Sequence, residues 1–98
     1  MSGERTMESI RYTLEKNKGS IFTLYYQALN DNPNISGKYT FELLIQPDGT
    51  VSSLKLISSE LGDDRLNADI LERIKKVQFA AEDVSVARVK YTYTFIES

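Results

Sequence analysis

The sequence contains no cysteine and no histidine, and only two of its 98 residues are proline. Without cysteine there is no disulfide bond and no thiolate nucleophile. Without histidine as well, a zinc site would need carboxylates alone, and the side chain most often used for acid–base catalysis near neutral pH is missing. We therefore expect no catalytic residue, no metal site and no cofactor, which argues against an enzyme.

Long apolar runs and a strong charge of either sign are also missing. No stretch approaches the roughly 18 apolar residues of a membrane span, and no signal segment is visible. Lys and Arg number 12 against 14 Asp and Glu, a net charge of −2, so we expect no nucleic-acid partner. The length suits one two-layer core. We expect residues 1–5 to be a disordered start that is foreign to the domain, and residues 6–98 to form a single domain.

What the sequence does contain is a clear β-hairpin in residues 37–59. Apolar and polar residues alternate with a period of two over residues 39–46, as in a strand with one buried face. A return strand is expected over residues 50–58. Proline fixes φ, aspartate bonds its own backbone and glycine accepts positive φ, so the turn is predicted at three residues: Pro47, Asp48 and Gly49.

Two helices are predicted before the hairpin. The first covers residues 6–16, with Thr6 as its N-cap and a stop at residues 17–19. Ser20 is placed to cap the second, which carries apolar residues at helical spacing. This helix has to end by Asn32, because Pro33 disfavours the α conformation in the residue before it.

A third helix and a last strand are predicted after the hairpin. Asp63 and Asp64 favour the start of the helix, since negative charge is stabilised at a helix N-terminus. Its buried stripe is Leu66, Ile70, Leu71, Ile74 and Val77. The last strand is predicted over residues 86–96, and its apolar face is expected to pack on the helices.

The element order α-α-β-β-α-β predicts an α+β domain of two layers. The third helix returns the chain to the end of the sheet where the second strand begins, so the last strand runs antiparallel to the first. An antiparallel sheet in the order second-first-third follows, which leaves the last strand at an edge. Arg88 and Lys90 on that edge either discourage aggregation or select an acidic peptide, and the sequence leaves both interpretations open.

Two groups of motifs belong to one known pattern. An alternating strand is followed by Pro-Asp-Gly-x-Val at residues 47–51 and by Ser-Ser-x-Leu at residues 58–61. The helix before the strand and the connection between them carry the other matching positions, which are Tyr25, Ala28, Leu29, Asn32, Pro33, Gly37 and Lys38. Together these motifs resemble the C-terminal domain of TonB-type energy transducers, and in particular its AgmX/PglI variety. AgmX-type domains commonly carry two cysteines, where this chain has Leu24 and Asp69.

The resemblance implies a periplasmic domain of a parent anchored in the inner membrane, coupled there to a motor complex. In TonB-type domains a short peptide of an outer-membrane receptor, the TonB box, adds as a strand to the last strand of the sheet. The matching residues would be Val89, Lys90, Tyr91, Thr92, Tyr93 and Thr94. The alternative is a motility or assembly scaffold that spans the envelope, in which the same fold binds other proteins or forms a homodimer.

Overall fold

A computed structural model describes residues 3–96, so the ends of the predicted segments 1–5 and 6–98 lie outside the described residues. Three helices and a three-stranded antiparallel sheet follow one another in the predicted order. The helices are α1 (Met7–Lys16), α2 (Lys18–Leu29) and α3 (Asp64–Lys75). The strands are β1 (Gly37–Ile45), β2 (Val51–Ser59) and β3 (Ala87–Phe95).

Helix α1 begins and ends where the sequence predicts. The hydroxyl of Thr6 accepts a hydrogen bond from the backbone N–H of Ser9 at 3.0 Å, which satisfies a donor that the first turn leaves free. Ile10 and Leu14 are buried. The helix thus presents one narrow apolar face to the sheet.

The junction between α1 and α2 differs from the prediction. Asn17 ends α1 and directly precedes α2, so Gly19 lies inside α2 and is not a stop. Ser20 is not the N-cap either, because its hydroxyl donates to the carbonyl of Asn17 at 3.1 Å from within the first turn. Packing of both helices on one sheet decides this boundary, against the local preference of glycine for a helix end.

Helix α2 ends at Leu29, ahead of the proline as expected. Ile21 and Tyr25 are buried along its inner face. The hydroxyl of Tyr25 donates to the carbonyl of Ile35 at 2.7 Å, which holds the loop after α2 against the helix.

The hairpin turn lies at residues 46–50. Gln46 and Thr50 close it through a backbone hydrogen bond of 2.9 Å, and Gly49 has a φ of 91°, a conformation that glycine adopts most readily. The carboxylate of Asp48 accepts from the N–H of Thr50 at 3.0 Å. The return strand starts one residue later than predicted.

Helix α3 is capped by Asp63, whose carboxylate accepts from the N–H of Leu66 at 3.0 Å. Of the predicted stripe, Leu71 is half-buried and the other members are buried, but Val77 lies beyond the end of the helix. The sheet order β2-β1-β3 confirms the predicted topology. The core lies between one face of this sheet and the helices; its largest fully buried side chains are Tyr25, Tyr39, Tyr93, Phe41 and Phe95.

Arg5 is a correction to the predicted start of the domain at residue 6. Its side chain is only 2% exposed, and its guanidinium donates to the carbonyls of Ala80 at 2.7 Å and Gln46 at 2.9 Å. It also forms an ion pair with Glu82 at 2.8 Å. These partners are 41 to 77 residues away in sequence, so the segment before α1 belongs to the folded domain.

Candidate functional site

The sheet has two edges, and they differ in regularity. Strand β2 contains two irregularities in its pairing with β1, opposite the steps Thr40/Phe41 and Leu44/Ile45. Strand β3 pairs with β1 in unbroken register over all nine residues, from Ala87 to Phe95. Bulges are one of the features that protect an edge from pairing with another strand. The outer edge of β3 is therefore the better template for a further strand.

The direction of the backbone groups on β3 follows from the pairing of β1. The carbonyl of Lys38 accepts from Glu60, and the N–H of Gln46 donates to Thr50, so even-numbered residues of β1 point their backbone groups toward β2. In an antiparallel ladder the direction alternates, which turns the odd-numbered residues of β1 toward β3. With Phe41 opposite Tyr91, the odd-numbered residues of β3 bond back to β1.

The even-numbered residues of β3 consequently point their N–H and C=O groups away from the sheet. Within residues 3–96, β1 is the one strand with which β3 pairs. Of the six residues predicted to bind a partner, Lys90, Thr92 and Thr94 have outward backbone groups, whereas Val89, Tyr91 and Tyr93 bond back to β1. Arg88, which the prediction omitted, is the fourth residue of the open edge: Arg88, Lys90, Thr92 and Thr94.

The same four side chains lie on the sheet face that the helices leave uncovered, and all are exposed. Glu42 of β1 is the acidic side chain among them. Its carboxylate contacts Arg88 at 3.0 Å and Lys55 at 3.8 Å. Lys90 lies directly across from Glu42 in the register but forms no ion pair within the described residues. The open edge thus carries an uncompensated positive charge at its centre.

On its other face β3 is held by α1. The hydroxyl of Tyr93 donates to the carbonyl of Leu14 at 2.6 Å, and that of Tyr91 donates to the carboxylate of Glu15 at 2.7 Å. Partial burial and the Glu15 carboxylate raise the pKa of Tyr91 to about 12. Both hydroxyls are therefore protonated donors at neutral pH, and they fix β3 to the helix without using its outer backbone groups.

A small pocket of about 220 Å³ lies at the start of β3 on the helix side. Met7 and Val86 line it, and these large apolar side chains are 54% and 49% exposed. Ile10, Ala87 and Val89 line it as well, together with the polar residues Glu4, Arg5, Ser85 and Arg88. We did not predict this pocket from the sequence. Val86 could have indicated it, because Val86 is an apolar residue at an even-numbered position, and the even-numbered residues of β3 lie on the polar face.

The segment before α1 pairs with the connection that leads into β3. Gly3 pairs with Val84 in a parallel bridge, and the N–H of Ser85 donates to the carbonyl of Gly3 at 2.8 Å. The chain then turns away into α1. Asp83 and Ser85 are odd-numbered, like the residues of β3 that bond back to β1, so this pairing leaves the outer edge of β3 free.

Two other surface depressions lie away from the open edge. One, of about 250 Å³ between α2 and α3, is lined by three aspartates and Arg65, and both Leu24 and Asp69 border it. The other, of about 520 Å³, follows β2 along α3. Within residues 3–96, no group of three or more Asp and Glu side chains is arranged to hold a metal ion. In the same range, no helix has the length and apolar character needed to cross a bilayer.

The fold and the open edge together define a class: a small α+β domain whose sheet presents one regular, unpaired edge strand. Comparison with solved structures shows which domains share this fold. A solution structure of the Helicobacter pylori TonB C-terminal domain superposes with a TM-score of 0.65, and the match covers 86% of this chain and 92% of that one. A longer version of the same domain gives a TM-score of 0.62 over 99% and 98% of the two chains.

Both matches are 23% identical in sequence, so the likeness concerns the fold. No family model matches the sequence, and no curated protein does. The predicted TonB C-terminal fold is confirmed. The AgmX/PglI variety stays a prediction.

Proposed function

We propose that this domain binds an extended peptide by adding it as a fourth strand to the outer edge of β3. The observation that carries the proposal is the uninterrupted register of β3 at an edge, combined with the bulged register of the opposite edge. In such binding, backbone hydrogen bonds supply affinity, and alternate side chains supply specificity.

The biological setting of the proposal comes from the fold. Because the chain shares the fold of a TonB C-terminal domain, we place it in the periplasm as the partner-binding part of a TonB-like energy transducer. The peptide then belongs to an outer-membrane receptor of the TonB-box type. Force would come from an inner-membrane motor through another part of a longer, membrane-anchored protein. This is a binding and force-transmitting role without catalysis.

Amide hydrogen exchange tests strand addition at the level of single residues. In the free domain we expect fast exchange at the outward N–H groups of Arg88, Lys90, Thr92 and Thr94, and slow exchange at Val89, Tyr91 and Tyr93. Addition of TonB-box peptides should slow the first set selectively. Binding without this alternating protection, or no binding at millimolar peptide, would contradict the proposal.

A proline substitution tests peptide binding at the edge without removing a hydrogen bond that the fold needs. The N–H of Thr92 points outward, so Thr92→Pro removes one donor for the peptide and none of the pairing with β1. Thr92→Val is the matched control, since it keeps the N–H and loses the same hydroxyl contact with Thr40. We expect peptide binding to fail in the proline variant and to persist in the valine variant, with both variants folded by circular dichroism.

A second candidate is a scaffold module of the envelope that self-associates through the same edge. The favouring observation is that two copies of β3 can pair antiparallel about Tyr91, which sets Lys90 opposite Thr92 and opposes no like charges. Light scattering at increasing concentration distinguishes the two. A stable dimer whose edge amides are already protected, and which ignores TonB-box peptides, would favour the scaffold.

A further inference from the structure

Two features of the open edge bear on which peptide it accepts, and they lie at neighbouring positions of β3. The first is Lys90, an exposed cation with no ion-pair partner in residues 3–96, beside a carboxylate that Arg88 and Lys55 already contact. An incoming residue opposite Lys90 has its side chain on the same uncovered face, within reach of the ammonium group. A carboxylate there would meet a free positive charge.

The second feature is the pocket beside Val89 on the helix face. Its volume of about 220 Å³ is below the roughly 300–1,000 Å³ of small-molecule sites, so it suits one side chain. Met7 and Val86 line this pocket, and each is about half exposed. An incoming residue opposite Val89 points to the helix face, because side chains of paired residues share a face. A bulky apolar side chain at that position would cover both.

We propose that the edge selects a peptide in which a bulky apolar residue is directly adjacent to an acidic one. The apolar residue fills the pocket opposite Val89, and the acidic residue pairs with Lys90. Positions 89 and 90 are neighbours, so their partners are neighbours whether the peptide runs parallel or antiparallel to β3. This inference rests on the proposed strand addition and adds the side-chain chemistry of the partner.

The probe is a capped nine-residue peptide that alternates threonine and valine, with leucine at its fourth position and aspartate at its fifth. One control replaces the aspartate with asparagine, and a second replaces the leucine with alanine. A third keeps the composition but exchanges the leucine with the valine at the eighth position. Affinity and amide protection are measured together by NMR titration of the isotope-labelled domain.

We expect the asparagine peptide to bind about two- to fivefold more weakly, as for an exposed ion pair. The alanine peptide should lose about tenfold or more, since three carbon atoms leave the pocket, and the reordered peptide about fourfold, since valine replaces leucine there and one methylene group leaves. The preference for aspartate should disappear in Lys90→Thr and persist in Lys38→Thr, which removes another exposed cation of the same face. The preference for leucine should shrink in Met7→Ser and persist in Tyr12→Ser, which alters an exposed side chain elsewhere on α1.

The outcomes separate this inference from strand addition itself. If all four peptides give the alternating protection with equal affinity, the edge binds backbone without reading side chains, and only the selectivity is refuted. If the selectivity appears but survives in both Lys90→Thr and Met7→Ser, the assigned residues are wrong. If no peptide protects the edge at millimolar concentration, both proposals fail.

Discussion

Replacing Arg5 should be the most damaging single change outside the apolar core. The variant Arg5→Met keeps an unbranched, mostly apolar side chain but removes the guanidinium. That group donates to the carbonyls of Ala80, Gln46 and Pro47 and to the carboxylate of Glu82. These partners belong to the hairpin turn and to the connection between α3 and β3, which Arg5 joins to the start of the chain.

The magnitude follows from what is left behind. A hydrogen bond to a charged group contributes about 1.5–3 kcal/mol, and carbonyls left without a donor cost about 1–3 kcal/mol each. These contributions are not additive, and Glu82 is partly exposed, so its ion pair contributes little. We expect a loss of about 3–5 kcal/mol, similar to that from breaking a buried charge pair. For a domain of this size, 3 kcal/mol corresponds to a fall in melting temperature of about 12 °C or more.

Urea unfolding followed by circular dichroism at low temperature measures this change. Arg11→Ala is the matched control: Arg11 is an exposed arginine of α1, and its loss should change stability by less than about 0.5 kcal/mol. Arg5→Lys should fall between the two, because a lysine keeps the charge but cannot reach several carbonyls at once. A loss below about 1 kcal/mol in Arg5→Met would refute the assigned role.

Two further predictions concern the turn and the tyrosines. Gly49→Ala should destabilise the domain by more than about 2 kcal/mol in the same unfolding assay, because a φ of 91° is unfavourable for alanine and the new Cβ meets the carbonyl of Phe79. Gly19→Ala, in open space within α2, should stabilise the domain by about 0.5–1 kcal/mol. Equal effects of the two substitutions would contradict the role assigned to Gly49. Burial raises the pKa of Tyr93 above its ordinary value of 10, as it does for Tyr91. These two tyrosines therefore contribute fully to stability below pH 10, and the contribution is lost as the pH rises through their pKa values in the folded state. Unfolding measured from pH 9 to 12 should show declining stability with a shallower slope in Tyr93→Phe, and identical slopes would exclude Tyr93 as a cause.

Local patterns were sufficient to predict most elements and the sheet order. Alternation in β1, the caps Thr6 and Asp63 and the proline after α2 act within a few residues, so the sequence shows them directly. The connection through α3 then returns the chain to the end of the sheet where β2 begins, which makes β3 antiparallel to β1 and places it at an edge.

Three features depend on contacts that no local pattern records. The role of Arg5 arises from carbonyls 41 or more residues away. Gly19 lies inside α2 because the sheet holds both helices in place, which overrides its preference for a helix end. The bulges in β2 decide which edge is open, and the sequence of β2 contains no proline or glycine that would announce them.

The difference between the two edges also limits how copies of the chain can assemble. A sheet with two regular edges can recruit a new copy at each side and grow into a fibre. Here only the β3 edge is regular, so two copies that join through it about a two-fold axis leave bulged edges on both outer sides. Edge-to-edge growth therefore terminates at a closed pair. The same stretch of backbone would be occupied in that pair, so peptide capture and dimer formation exclude each other.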